Sequence, residues 1–124
     1  TTLEAVVERT GATFIPPYDF MDVIEGQATC ALELLEDQPD LEIVMAPVGG
    51  GGLLGGTALT AHYLNPSIQV IAGEPAGADD AFRSFHAGHI IPQTGPNTIA
   101  DGLLTSLGNL NFELIQHYVD DILL

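Results

Sequence analysis

The sequence predicts an α/β fold, a mainly parallel β-sheet with helices on both faces. Two observations carry that expectation. Short apolar, β-branched runs alternate with stretches of helical composition along the whole chain, the order that yields parallel strands joined by right-handed crossovers. The first clear strand also runs straight into four consecutive glycines, Gly49 to Gly52, followed at once by a helix.

The chain opens on a helix in which Leu3, Val6 and Val7 recur at helical spacing opposite Glu4 and Glu8, with Gly11 placed to end it. Ala12 to Ile15 reads as a short strand stopped by Pro16 and Pro17, neither of which can donate to a ladder. Tyr18 to Asp22 is a loop. A second helix runs from Val23 or Ile24 to about Leu35, with Ala28, Ala31, Leu32 and Leu35 as its buried stripe and Glu33 and Glu36 facing water. Gln38-Pro39-Asp40 breaks it, and Glu42 to Val48 forms the strand ahead of the glycines.

Beyond the glycines, Leu53 to Leu64 is a helix ended by Asn65-Pro66, and Ile68 to Gly73 is an apolar strand. Ala78 to about Ala87 is a helix carrying Phe82 and Phe85 on one face and stopped by Gly88. His89 to Asn97 is a loop and Thr98 to Leu107 has no decisive period. Asn111 to Tyr118 is a short helix, and Val119 to Leu124 begins a last strand.

At 124 residues the chain suits one domain with a modest core. Its formal charge of −15, with Arg9 and Arg83 as the only cationic residues, argues against nucleic acid or an anionic membrane as a partner. No apolar run is long enough to span a bilayer and no basic, apolar leader is visible. A single cysteine, Cys30, cannot form an internal disulfide, which fits a reducing cytoplasm. It lies beside the apolar stripe with no base near it, so it is expected to be buried and inert. His62 and His117 are single helical residues, His86 and His89 a loop pair straddling a helix stop, and Asp120-Asp121 a solvated turn.

The glycine run holds the chemistry. Glycines lacking Cβ admit positive φ and let a ligand approach the backbone, so several N–H groups can converge on one point. The next helix adds its unpaired first-turn amides and the positive end of its dipole, which together favour an anion without a basic side chain. No Gly-Lys-Ser/Thr follows and dinucleotide spacing is missing, so a compact phosphate monoester is the expected ligand, on Gly49, Gly50, Gly51, Gly52 and Leu53. One strand later, Glu74, the Ala78 carbonyl and Asp80 form an oxygen-rich set suited to Mg²⁺ or Ca²⁺. The competing reading is a carboxylate closing a strand end and acids in a helix's first turn.

Pro47 to Gly56 resembles the phosphate-cradling loop of pyridoxal-phosphate enzymes of the tryptophan-synthase-β type (fold type II). Within them it is most similar to the serine/threonine dehydratase and serine racemase family. Glu25-Gly26-Gln27-Ala28-Thr29, Gly73 to Asp80 and Thr98-Ile99-Ala100-Asp101-Gly102-Leu103 extend the resemblance over nearly the whole chain. It implies pyridoxal 5'-phosphate as cofactor, a divalent cation on Glu74, Ala78 and Asp80, Gly73-Glu74 near the pyridine ring, an amino acid as substrate, and a dimer. Residues 1–124 would be part of the large, cofactor-binding domain. The small domain and the segment bearing the Schiff-base lysine would lie outside it, since the chain contains no lysine. Ala28 stands where the family usually has glycine, which would alter that helix's approach to the cofactor.

The resemblance implies β-elimination of the hydroxyl from serine or threonine, giving a 2-oxo acid and ammonia, with the present chain inactive alone. Serine racemase is the nearest rival, and a non-catalytic, stand-alone domain retaining the glycine loop is the reading from another class.

Overall fold

The computed structural model describes residues 2–124. Its elements are α1 (Thr2–Thr10), α2 (Met21–Asp37), β1 (Ile43–Pro47), α3 (Gly52–Leu64), β2 (Gln69–Gly73), α4 (Asp80–Ala87), a single 3₁₀ turn (Asp101–Leu103), α5 (Asn109–Tyr118) and β3 (Asp121–Leu123). The strands form one sheet in the order β1-β2-β3, both pairings parallel, with Val44 opposite Val70, Ala46 opposite Ala72 and Ala72 opposite Ile122. Parallel pairing with helical crossovers is the α/β architecture predicted above, and it puts all carboxyl ends at one edge. The glycine run leaves β1 and Glu74 leaves β2 at that same edge.

Alternation along the strands sorts their side chains. Val44, Ala46, Val70, Ala72 and Ile122 are buried and join Leu35, Leu54, Ala58, Ala61, Ala81 and Ile115 of the helices in one apolar core. On the opposite face Ile43, Met45 and Leu123 are 47%, 60% and 47% exposed. Helices α2, α3, α4 and α5 supply the rest of that core, whereas α1 buries none of its residues.

Helix α3 is the hub of the core and packs against α2, α5, β1 and β2. Such surroundings leave little room for a polar face, and seven of its thirteen residues are buried. Gly56 sets its distance from α2: a Cβ there would lie 2.6 Å from the Ala28 nitrogen and 2.7 Å from the Ile24 oxygen. Across the same seam the Thr60 hydroxyl donates to the carbonyls of Ala28 and Gly56 at 3.1 and 2.9 Å.

Several expectations need correcting. Ala12 to Ile15 is not a strand; these residues are exposed and have no neighbouring strand among the described residues to pair with. Helix α2 begins at Met21, inside the expected loop. Its buried residues are Ile24, Ala31 and Leu35, because α3 crosses on that side. Ala28 is half-buried, and Leu32 is exposed on the rim of an apolar groove shared with Leu59, Tyr63 and Leu64. Cys30 is exposed rather than buried, lying outside the α2–α3 contact. Asp120 is no idle turn residue: its carboxylate accepts the Val70 amide at 2.7 Å while its own amide donates to the Val70 carbonyl. Helix α1 ends at Gly11 (φ +67°) as expected, yet none of its residues is buried. Among the described residues, no helix is long and apolar enough to cross a membrane.

Candidate functional site

Gly49 to Gly52 and the first residue beyond them form the floor of a cavity of about 340 Å³ at the carboxyl edge of the sheet. Its walls are Pro17 and Tyr18 from the segment before α2, Pro47 at the end of β1, and Gly102, Leu103 and Thr105 around the 3₁₀ turn. None of these side chains is charged. An anion here would meet no charged side chain, only the hydroxyls of Tyr18 and Thr105 and the backbone dipoles that a loop leading into a helix amino terminus supplies.

The loop's shape depends on having no side chains. Gly51 caps α3 with φ +95°, a left-handed conformation that penalises other residues. A Cβ on it would fall 2.8 Å from Asn111 Cβ, and one on Gly50 would fall 2.3–2.5 Å from three ring atoms of Tyr18. On Gly49 it would lie 3.1 Å from Leu103 Cα, in the opposite wall. Two of the loop carbonyls are engaged: Gly50 accepts from the Gly108 amide at 3.0 Å and from Asn111 Nδ2 at 2.8 Å, and Gly51 accepts from the Gly55 amide at 2.8 Å. The amides of Gly49 to Leu53 have no protein acceptor among the described residues. Amides left free at the amino terminus of a helix make a set of donors suited to an anion.

Sequence reasoning found the loop but missed what frames it. Tyr18, Asn111, Leu103 and Thr105 come from segments read as loop, helix start or indecisive stretch, and only folding brings them together. The Pro16-Pro17 pair was the one local signal, since it extends the chain and delivers Tyr18 to the glycines.

Glu74 and Asp80 are brought together beside this site. Glu74 is 5% exposed, and both its carboxylate oxygens accept amides from the start of α4, Ala81 at 3.0 Å and Phe82 at 2.7 Å. Asp80 is 1% exposed and accepts from the Leu107 amide at 2.8 Å and from Gln93 Nε2 at 3.2 Å. Burial outweighs these hydrogen bonds and pushes the Glu74 carboxyl up to about 7, with the nearby charges of Asp80 and Asp79 pushing the same way. Burial also raises the Asp80 carboxyl, opposed by the Leu107 amide. Ala78, between them in sequence, is buried, its amide donating to the Pro75 carbonyl at 2.8 Å. Arg83, near in sequence, is paired with Asp79 at 2.8 Å.

Gly73 and Glu74 are not among the residues lining the cavity, and neither is Ala28, which sits on the α2–α3 seam beside Gly56. His86, His89, His62 and His117 are exposed, and His62 stacks with Tyr63 and Tyr118 at ring-centre distances of 5.0 and 4.8 Å. No group of three or more His, Cys, Asp or Glu able to hold a metal occurs among the described residues.

Comparison with known proteins places this geometry. Residues 1–124 match the family model described as pyridoxal-phosphate dependent enzyme. Serine racemase from Dictyostelium discoideum is 49% identical over 121 residues, which cover 96% of this chain and 37% of that protein. β-Hydroxyaspartate dehydratase from Paracoccus denitrificans is 48% identical over 121 residues, covering 98% and 38%. Among solved structures, maize serine racemase superposes with a TM-score of 0.93 at 46% identity, over 96% of this chain and 37% of that one. A threonine deaminase from T.th. superposes with a TM-score of 0.91 at 44% identity, over 95% and 45%. The chain thus spans less than two-fifths of the length of the two curated relatives. With its whole length matched by that model, the chain belongs to the pyridoxal-phosphate dependent enzyme family.

Proposed function

We propose that this chain is the phosphate-binding part of a pyridoxal-phosphate dependent dehydratase that converts a β-hydroxy amino acid of the serine or threonine class to a 2-oxo acid and ammonia. The observation that carries this reading is the cradle itself: five consecutive loop amides without a protein acceptor, at the start of α3, in a chain whose relatives include a hydroxyaspartate dehydratase and a threonine deaminase. Gly49 to Leu53 would hold the phosphate by N–H donation and by the dipole of α3. Tyr18, Leu103 and Thr105 would wall the cofactor off from water. When bound, the cofactor supplies an electron sink for negative charge developing at the substrate α-carbon. The chain offers no lysine, so the amine that binds the cofactor and moves the α-proton belongs to a segment outside residues 1–124.

The decisive assay feeds L-serine and L-threonine to the intact protein and follows 2-oxo acid formation. Release of pyruvate or 2-oxobutanoate is expected. D-serine without 2-oxo acid would favour the racemase reading, which the Dictyostelium discoideum relative supports. Neither product, with no cofactor retained after borohydride reduction, would leave the non-catalytic domain.

Glu74, the Ala78 carbonyl and Asp80 are the proposed seat of a Mg²⁺ or Ca²⁺ ion. Two buried carboxylates with raised proton affinity and no cationic side chain between them are costly as anions, and a divalent cation would discharge that cost. At pH 8, adding Mg²⁺ or Ca²⁺ to chelator-treated protein should raise the melting temperature, and Asp80→Asn should abolish the response. A dimer is proposed too, with the open sheet face and the apolar α2–α3 groove as the surfaces it would cover; light scattering on the intact protein should give the mass of two chains.

A further inference from the structure

We infer that Asn111 is a positioning residue for the phosphate loop: by holding the Gly50 carbonyl, it sets the direction in which the Gly51 N–H points. The inference rests on the reading of 49–53 as the phosphate cradle. Asn111 is fully buried at the start of α5, and its Nδ2 donates to the Gly50 carbonyl at 2.8 Å and to the Tyr18 carbonyl at 3.1 Å. The Gly108 amide gives the Gly50 oxygen a second donor at 3.0 Å. Both acceptor directions of that oxygen are then taken, so the Gly50–Gly51 peptide cannot turn without losing two hydrogen bonds. The peptide is planar and trans, which points its C=O and N–H in opposite directions. With the carbonyl turned into α5, the Gly51 N–H faces away from α5, and it has no protein acceptor.

A second observation separates this role from simple packing. The other end of the same side chain, Oδ1, is buried without any hydrogen-bond partner. An asparagine that served only to fill space would be improved by an apolar residue of its size, because an orphaned buried acceptor is unfavourable. What the apolar residue could not supply is the donor to Gly50.

The test uses intact protein stripped of cofactor and titrated with pyridoxal 5'-phosphate and, separately, with pyridoxal, which lacks the phosphate. Asn111→Leu keeps the branching of the side chain, adds a little bulk and removes the donor. Its affinity for pyridoxal 5'-phosphate should fall roughly tenfold while that for pyridoxal stays within about twofold. The ³¹P resonance of the bound phosphate should shift, and the urea midpoint should change little. An unchanged ratio of the two affinities, whatever the urea midpoint does, would overturn the inference. Asn111→Ala is read by the same ratio if the leucine variant does not fold. A wild-type protein binding both compounds equally would overturn the phosphate reading along with this one. Discrimination by wild type and variant alike overturns only the role of Asn111.

Discussion

Asp19 caps a helix that starts ninety residues further along the chain, and Gly108 is the residue that lets it. Asp19 Oδ2 accepts the Asn109 amide at 3.0 Å, while Oδ1 accepts those of Leu110 and Asn111 at 2.9 and 3.2 Å. Gly108 is the N-cap of α5 and has no side chain to cap with; a Cβ there would lie 2.4 Å from Asp19 Oδ1. The carboxylate takes the place of a local cap and sits where the helix dipole is positive. It also ties Tyr18, its chain neighbour, against the glycine loop.

Asp19→Ala should therefore destabilise the protein by about 1–2 kcal/mol, the usual cost of losing a cap. Urea unfolding of the two proteins measures it. A change below a few tenths would mean that water replaces the carboxylate at no cost.

Gly50→Ala should impair cofactor binding more than folding. Its Cβ would meet the Tyr18 ring at 2.3–2.5 Å, so Tyr18 must swing or the loop must shift. A loss of at least roughly tenfold in affinity for pyridoxal 5'-phosphate is expected, equivalent to about 1.4 kcal/mol. Combining it with Tyr18→Ala should restore part of the loss if the ring is the obstacle.

Gly56→Ala should act on stability alone. The added methyl falls 2.6 Å from the Ala28 nitrogen, on backbone that cannot yield without parting α2 from α3. Overpacking of this kind costs about 1–3 kcal/mol. A variant as stable as the parent would show that the helix seam is looser than described.

Glu74 gives the chelator-treated protein a pH dependence. Its carboxyl titrates near 4.5 when unfolded and is pushed up to about 7 when folded, so the folded state keeps a proton that the unfolded state releases. The stabilising effect is complete below 4.5 and disappears as pH rises through 7, a fall on the order of 3 kcal/mol. Denaturation midpoints measured between pH 4.5 and 8 should decline across that window, and Glu74→Gln should flatten the decline. A rise over the same range would show that the amides of Ala81 and Phe82 outweigh burial.

Cys30 should react with a thiol reagent in the native protein at a rate close to that of the unfolded chain, because it is exposed. Protection until denaturant is added would mean that its face of α2 is covered by another surface.

The glycine loop and its free amides were legible because their signal is local. A strand composition, four residues without Cβ and a helix composition are neighbours in sequence, and the properties they need, positive φ and free first-turn amides, are properties of the backbone there. The parallel sheet was legible for a similar reason, since strand and helix periods alternate along the chain. Glu74 and Asp80 were singled out from their six-residue spacing at a strand end, and the fold buries both.

What the chain order could not reveal depends on contacts between distant segments. Ala12 to Ile15 has the composition of a strand but no strand beside it, and a ladder needs a partner. Ala28 and Leu32 share the helical stripe of Ala31, yet the crossing of α3 covers only part of it. Asp19 and Asn111 carry no local mark of their roles, because a hydrogen bond spanning ninety or sixty-one residues is fixed only when both ends are already packed. The sequence by itself determined most of the elements, their order and the glycine loop, all set by backbone preferences within a few residues. The tertiary structure alone decided which carbonyls are tied down and which amides stay free, because that division is made by side chains arriving from elsewhere in the chain.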